Sequence, residues 1–165
     1  MKRFQTRRRV PHSAEQMFDL VADVDRYPEF VPLCERLRVR SRKVVDGRDV
    51  LITDMTMGYK AIHETITCEV VLLREENRID VRYLDGPFSR MENRWSFQPH
   101  DDGGCTVDFY IAYELKSVML GFLVSQLFDR AFQRFAGAFE TRARRIYARP
   151  NRSAPAVGKA ATVSS

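Results

Sequence analysis

From Leu37 to Leu115 the chain alternates apolar and polar residues in run after run, and that period of two confines the segment to strands wetted on one face. Ile79, Val81 and Tyr83 alternate with Asp80, Arg82 and Leu84. Met91, Asn93, Trp95 and Phe97 alternate with Glu92, Arg94 and Ser96, and Val107, Phe109, Ile111, Tyr113 and Leu115 continue the pattern. Earlier runs at 37–45, 50–57 and 60–73 read the same way, the last with Ile62, Ile66, Cys68, Val70 and Leu72 on one face. A looser alternation at 3–10 reads as a first strand. The joins carry turn residues (Asp46-Gly47, Glu75-Glu76-Asn77, Asp101-Asp102-Gly103-Gly104), so successive strands are antiparallel neighbours.

Two helical regions interrupt this order. Ser13 stands three residues before Gln16, the spacing of a capping box, and Met17, Phe18, Leu20 and Val21 supply an apolar face that ends near Asp23. Pro28 then opens a second short turn and Pro32 prevents its continuation, giving helix, break, one stiff turn, break. After Lys116 the period changes to helical. Phe128, Phe132, Phe135 and Phe139 form one stripe, and Pro150 is expected to end the helix. The reading is α+β: a curved six- to seven-stranded antiparallel sheet covered by one long C-terminal helix, with two short helices after the first strand. Residues 1–148 are expected to form one domain and 149–165 a disordered basic tail.

The 165 residues carry a formal charge of +5, of which three charges lie at or beyond Arg149 in a segment without acids. The folded part is thus close to neutral, with Lys2, Arg3, Arg7, Arg8 and Arg9 at one end and Arg142, Arg144 and Arg145 at the other. Such ends suit an anionic bilayer or RNA phosphates, and ordinary solvated charge equally well. Cys34, Cys68 and Cys105 are odd in number and widely spaced, which argues for reduced thiols in a cytoplasmic protein. His12, His63 and His100 lack metal-ligand spacing. Charge follows Met1 directly, so no signal peptide is expected, and the apolar run from Val118 to Val124 is too short to span a bilayer.

Phe18, Trp95, Phe97, Phe109, Tyr113, Phe122, Phe132, Phe135 and Phe139 all offer bulk to one interior, beside adaptable methionines such as Met55, Met57, Met91 and Met119. Small residues on the long helix, among them Gly121, Ala131 and Ala136, fit either tight packing or the wall of a cavity. Two polar residues share inward faces: Asn93 with Trp95 and Phe97, and Glu64 with Ile62 and Ile66. Each needs a partner, whether protein, water or ligand. No nucleophile elbow, phosphate-binding glycine loop or histidine pair occurs, and His63 and Glu64 point to opposite faces of their strand.

Three stretches together, YPEFVPLC at 27–34, DGPFSRMENRWSF at 85–97 and YELKS at 113–117, resemble the coenzyme Q-binding, START-type family within the polyketide cyclase and lipid-transport superfamily. The resemblance spans about residues 3–147. It implies a helix-grip fold around a hydrophobic tunnel and binding of a polyisoprenoid quinone such as ubiquinone, or a related lipid, in support of respiratory electron transfer. No catalytic cofactor and no metal are implied. Its motif positions fall on Tyr27, Pro28, Phe30, Pro32, Cys34, Gly86, Pro87, Phe88, Asn93 and Trp95, with Met91 where an aliphatic residue, often leucine, would stand. The expected ligand-binding set is Tyr27, Phe30, Phe88, Asn93, Trp95, Met119, Phe122 and Phe132. Tyr27 and Phe30, the latter held between Pro28 and Pro32, either rim the tunnel mouth or plug the end of the sheet.

The leading expectation is a carrier without turnover, cytoplasmic and in transient contact with an anionic inner-membrane surface. Bacterial members of the family include ribosome-association toxins, so ribosome or RNA contact is the first alternative and a cyclase-type enzyme the second. No DNA partner is expected. The sequence is silent on isoprenoid length and oligomeric state.

Overall fold

The computed structural model describes the backbone of residues 1–116 and 121–163 and the side chains of residues 1–116 and 121–147. The alternating runs become seven strands: β1 (Lys2–Val10), β2 (Cys34–Val45), β3 (Arg48–Tyr59), β4 (Ile62–Leu73), β5 (Arg78–Asp85), β6 (Phe88–Pro99) and β7 (Cys105–Leu115). They form one antiparallel sheet in the order β1-β7-β6-β5-β4-β3-β2. The meander from β2 to β7 needs only hairpins. Asp46 and Gly47 both hold positive φ (53° and 77°), the left-handed pair that a tight hairpin turn requires. Irregular register in β2, in β4 and at Phe88/Arg90 of β6 bends the strands and curls the sheet.

Because β1 pairs with β7 while β2 lies at the opposite edge, the chain must cross the breadth of the sheet between them. Helix α1 (Ala14–Ala22), a 3₁₀ turn at Val24–Arg26 and helix α2 (Tyr27–Phe30) make that crossing. The capping box forms as read: the Gln16 N–H donates to the Ser13 hydroxyl and the Ser13 N–H to the Gln16 side chain, both at 3.0 Å. Both edge strands carry outward arginines, Arg3, Arg7 and Arg9 on one and Arg36, Arg38, Arg40 and Arg42 on the other. Such charge opposes edge-to-edge association.

Helix α3 (Phe122–Val163) lies in the concave face. Phe128, Phe132, Phe135 and Phe139 are buried there, and Ala131, Ala136 and Ala143 let the helix approach closely. Polar tethers hold it along its length. Asp129 pairs with Lys2 at 2.5 Å and accepts from the Tyr113 hydroxyl. Glu140 pairs with Arg8 at 3.0 Å, Arg142 with Glu29 at 2.8 Å, and the Tyr147 hydroxyl donates to the Gln16 carbonyl at 3.0 Å.

Two expectations are corrected. Phe122 does not join the interior; it begins α3 outside the aromatic stripe and is 76% exposed. The backbone of α3 does not stop at Pro150 but stays helical to Val163. The alanines around the prolines have the highest helix propensity of any residue and favour that continuation.

His12, between β1 and α1, is 4% exposed, packs on the Tyr147 ring at 5.8 Å and leaves Nε2 without a hydrogen-bond partner. Burial lowers its pKa from the ordinary 6.5, and Arg144 lowers it further against an opposing Glu140. The folded chain therefore holds His12 neutral while the unfolded chain takes up a proton below about pH 6.5. Stability contributed here is complete above that pH and declines as pH falls through it. Denaturant melts from pH 8 to 5 should lose less stability in His12→Phe than in the wild type; parallel pH profiles would remove His12 as the cause.

Candidate functional site

The sheet residues facing α3 differ in reach from one side of the molecule to the other. On the β6–β7 side they are aromatic: Trp95 meets Phe139 at 4.9 Å, Phe109 meets Phe135 at 6.1 Å and Tyr113 meets Phe132 at 5.0 Å. On the β3–β5 side none of those lining the space beneath the helix is aromatic, and Thr53, Cys68, Val70 and Val81 are short. Without rings there to fill that space, a cavity of about 60 Å³ remains.

Its floor is Met55, Ile66, Ile79, Met91 and Ile111; its roof is Phe132 and Phe135; Val21, Val24, Tyr27 and Leu37 close one end. No charged side chain lines it. The residues on its wall with polar side-chain groups are Asn93, Thr53, Cys68, Tyr27 and, through its indole N–H, Trp95. Asn93 donates to the Tyr110 carbonyl at 2.9 Å, which fixes its orientation. Tyr27 donates to the Val21 carbonyl at 2.5 Å, and burial pushes its pKa well above the ordinary range, so it stays a neutral phenol. An uncharged lining with an amide and a hydroxyl suits a neutral, largely apolar molecule bearing hydrogen-bond acceptors. Ligand sites commonly enclose roughly 300–1,000 Å³, so this one must widen to admit such a molecule. The flexible thioethers of Met55 and Met91 are the adaptable part of its wall.

Of the expected site residues, Tyr27, Asn93, Trp95 and Phe132 meet on this cavity. Phe30 does not line it. Its ring stands edge-on to Phe139 at 5.0 Å with the Arg142 guanidinium 5.0 Å from its centroid, a seal at the sheet end. Phe88 does not line it but backs it, packing on Phe128 at 4.7 Å, Tyr113 at 5.5 Å and the roof residue Phe132 at 6.4 Å. Phe122 lies on the surface, and Met119 lies outside the described residues. Glu64 pairs in register with Met57 and does not reach the cavity. Sequence reasoning overlooked Thr53, although it breaks the apolar face between Leu51 and Met55 just as Asn93 breaks its own. The three cysteines are free and buried. Burial raises Cys34 and Cys105 to about 11 and Cys68 to about 12, with Asp54 adding to the last, so all three remain thiols at neutral pH. Among the described residues no cluster of three metal-ligating side chains forms.

A long helix gripped by a curled antiparallel sheet, with a neutral cavity between them, defines a helix-grip binding protein. Residues 10–140 match the family described as polyketide cyclase / dehydrase and lipid transport, and the chain belongs to that family. It is 35% identical over 141 residues to the Xenopus laevis protein named coenzyme Q-binding protein COQ10 homolog B, mitochondrial; the match covers 83% of this chain and 56% of that protein. It is 30% identical over 149 residues to the Rickettsia prowazekii protein named ribosome association toxin RatA, covering 88% of this chain and 99% of that one. The solution structure of an 18 kDa protein from Caulobacter crescentus shares the fold with a TM-score of 0.71 at 31% identity, over 90% of this chain and 99% of that one. The family and fold implied by the sequence motifs are thereby borne out.

Phe30 and Phe122 separate the seal from the surface. Phe30→Ser should cost about 2 kcal/mol of stability, as loss of a half-buried aromatic does, whereas Phe122→Ser should change it by less than about 0.5 kcal/mol. Urea melts of both variants check this. In the same preparation, iodoacetamide near neutral pH should leave native Cys34, Cys68 and Cys105 largely unmodified and label all three once the chain is unfolded.

Proposed function

We propose that this chain binds a polyisoprenoid quinone of the ubiquinone type in the cavity beneath α3 and carries or shelters it in support of respiratory electron transfer. The observation that carries the reading is the uncharged wall on which the Asn93 amide and Thr53 hydroxyl face an otherwise apolar, aromatic space. A quinone ring is neutral, flat and bears carbonyl acceptors, which those two groups match. An isoprenoid tail adds roughly 4 kcal/mol per buried isoprene unit at about 0.8 kcal/mol per carbon, enough for one or two units to offset widening of the cavity. The similarity to a protein named for coenzyme Q binding supports the choice. Binding without turnover fits a wall that offers no acid–base pair.

Contact with an anionic membrane surface from the cytoplasmic side belongs to the same proposal. Among the exposed large apolar side chains, Phe122 and Leu123 stand at the start of α3, beside a groove that also includes Met1 and the basic Lys2. No described helix is long and apolar enough to cross a membrane.

Ribosome association is a second reading. It rests on the outward row Arg36, Arg38, Arg40 and Arg42, although Arg40 pairs with Asp54 at 2.6 Å and Arg42 with Asp25 at 2.5 Å. Those pairs leave a small net charge for RNA, and a salt titration of ribosome binding would report it as a shallow slope.

Trp95 is the single tryptophan, so its fluorescence reports on the cavity directly. Titration with decylubiquinone should quench it saturably, and Asn93→Leu should weaken binding about tenfold through loss of one hydrogen-bond partner. Protein purified without detergent from quinone-producing cells should release quinone to an organic solvent. No quenching together with an empty extract would remove the carrier reading.

A further inference from the structure

The cavity holds only about 60 Å³, well short of what a ligand of this kind fills, so part of its wall must yield for exchange, an inference that rests on the carrier reading. Lifting α3 would break its ion pairs with Lys2, Arg8 and Glu29 and uncover the buried phenylalanine stripe. The sheet holds a weaker place. β5 and β6 pair only from Arg78↔Ser96 to Arg82↔Glu92, although their hairpin continues to Gly86-Pro87. Beyond that pair each strand remains bound to its other neighbour: Tyr83 and Asp85 to β4, Phe88, Arg90 and Met91 to β7. No ladder pair joins β5 to β6 across this stretch. The tip is fastened instead by a side chain, the Tyr83 hydroxyl accepting the Phe88 N–H at 3.0 Å.

On the outer face, along the last paired residues of β5 and β6 and reaching the seam at Met91, lies a groove of about 440 Å³. Val81, Met91 and Asn93 line both that groove and the interior cavity; Val81 and Asn93 are paired to each other in the ladder, so Met91, one residue past the last pair, is the part of the partition that lies on the seam. Along the groove the Arg82–Glu69 pair closes at 3.2 Å and the Arg94 guanidinium lies 5.5 Å from the Tyr110 ring centroid.

We propose that the seam between β5 and β6 is a passage through the sheet by which a neutral amphiphile exchanges between the cavity and the outer groove. Tyr83 is its latch, Met91 its flexible flap, and Asn93 the hydrogen-bonding group at its inner threshold. Opening it parts two strands that share no main-chain ladder there and leaves both bound to the rest of the sheet, so the fold survives each cycle.

Continuing the register past Arg82↔Glu92 sets Leu84 opposite Arg90, both exposed. The double variant Leu84→Cys/Arg90→Cys can be bridged by a short bismaleimide, since the native thiols are buried. The rate at which decylubiquinone quenches Trp95 after rapid mixing is the readout. Bridging should slow quenching several-fold with the same endpoint, and Tyr83→Phe, which keeps the ring and removes the latch, should speed it several-fold. Wild-type quenching at a rate that neither bridging nor Tyr83→Phe alters would overturn the passage and leave the carrier reading standing. Absence of quenching in the wild type would overturn both.

Discussion

Everything in this molecule depends on the contact between one helical stripe and one side of a curled sheet. Each phenylalanine of the stripe finds an aromatic partner: Phe139 on Trp95, Phe135 on Phe109, Phe132 on Tyr113 and Phe128 on Phe88. These pairs set the register of α3 along β6 and β7, because a shift by one residue would rotate every ring out of contact by about 100°. They also fix how far α3 stands from the sheet. The threonine, cysteine and valines of β3, β4 and β5 are smaller than those rings and leave space beside them. The cavity is thus the geometric remainder of a tight contact elsewhere, and enlarging the side chains on β3–β5 would fill it without disturbing the grip.

The alternation, the capping box and the phenylalanine stripe made the architecture readable from the chain, since each is a local rule whose outcome the global fold does not override. The site was readable only in part. Tyr27 and Phe30 stand three apart in a single helical turn, on one face with their rings 6.1 Å from each other, so the sequence pattern does not distinguish which reaches the interior; the structure sends Tyr27 to the cavity and Phe30 to the seal. Phe88 looked equivalent to them, yet its place follows from the irregular register at the start of β6, which no residue pattern announces. Phe122 is different, because its phase was available. Six residues before Phe128 amount to about 600° of helix, which puts it well off the stripe. Thr53 was likewise legible by the argument already applied to Asn93. The continuation of α3 past Pro150 was not, because proline is a strong stop rule and alanine propensity works against it more diffusely.

Chain alternation also separates two kinds of chemistry. From Met91 to Phe97 the odd positions of β6 face the interior, while Glu92, Arg94 and Ser96 lie on the outer side. The two faces meet at Val81, Met91 and Asn93, which line both the cavity and the outer groove; elsewhere the residues that close the cavity have sequence neighbours that face outward. Relatives named for coenzyme Q binding and for ribosome association both match more than four-fifths of this chain. The interior reading of this chain rests on its neutral wall. The exterior reading rests on arginines of which two are already paired to aspartates, and on that comparison the cavity is the more specific of the two surfaces.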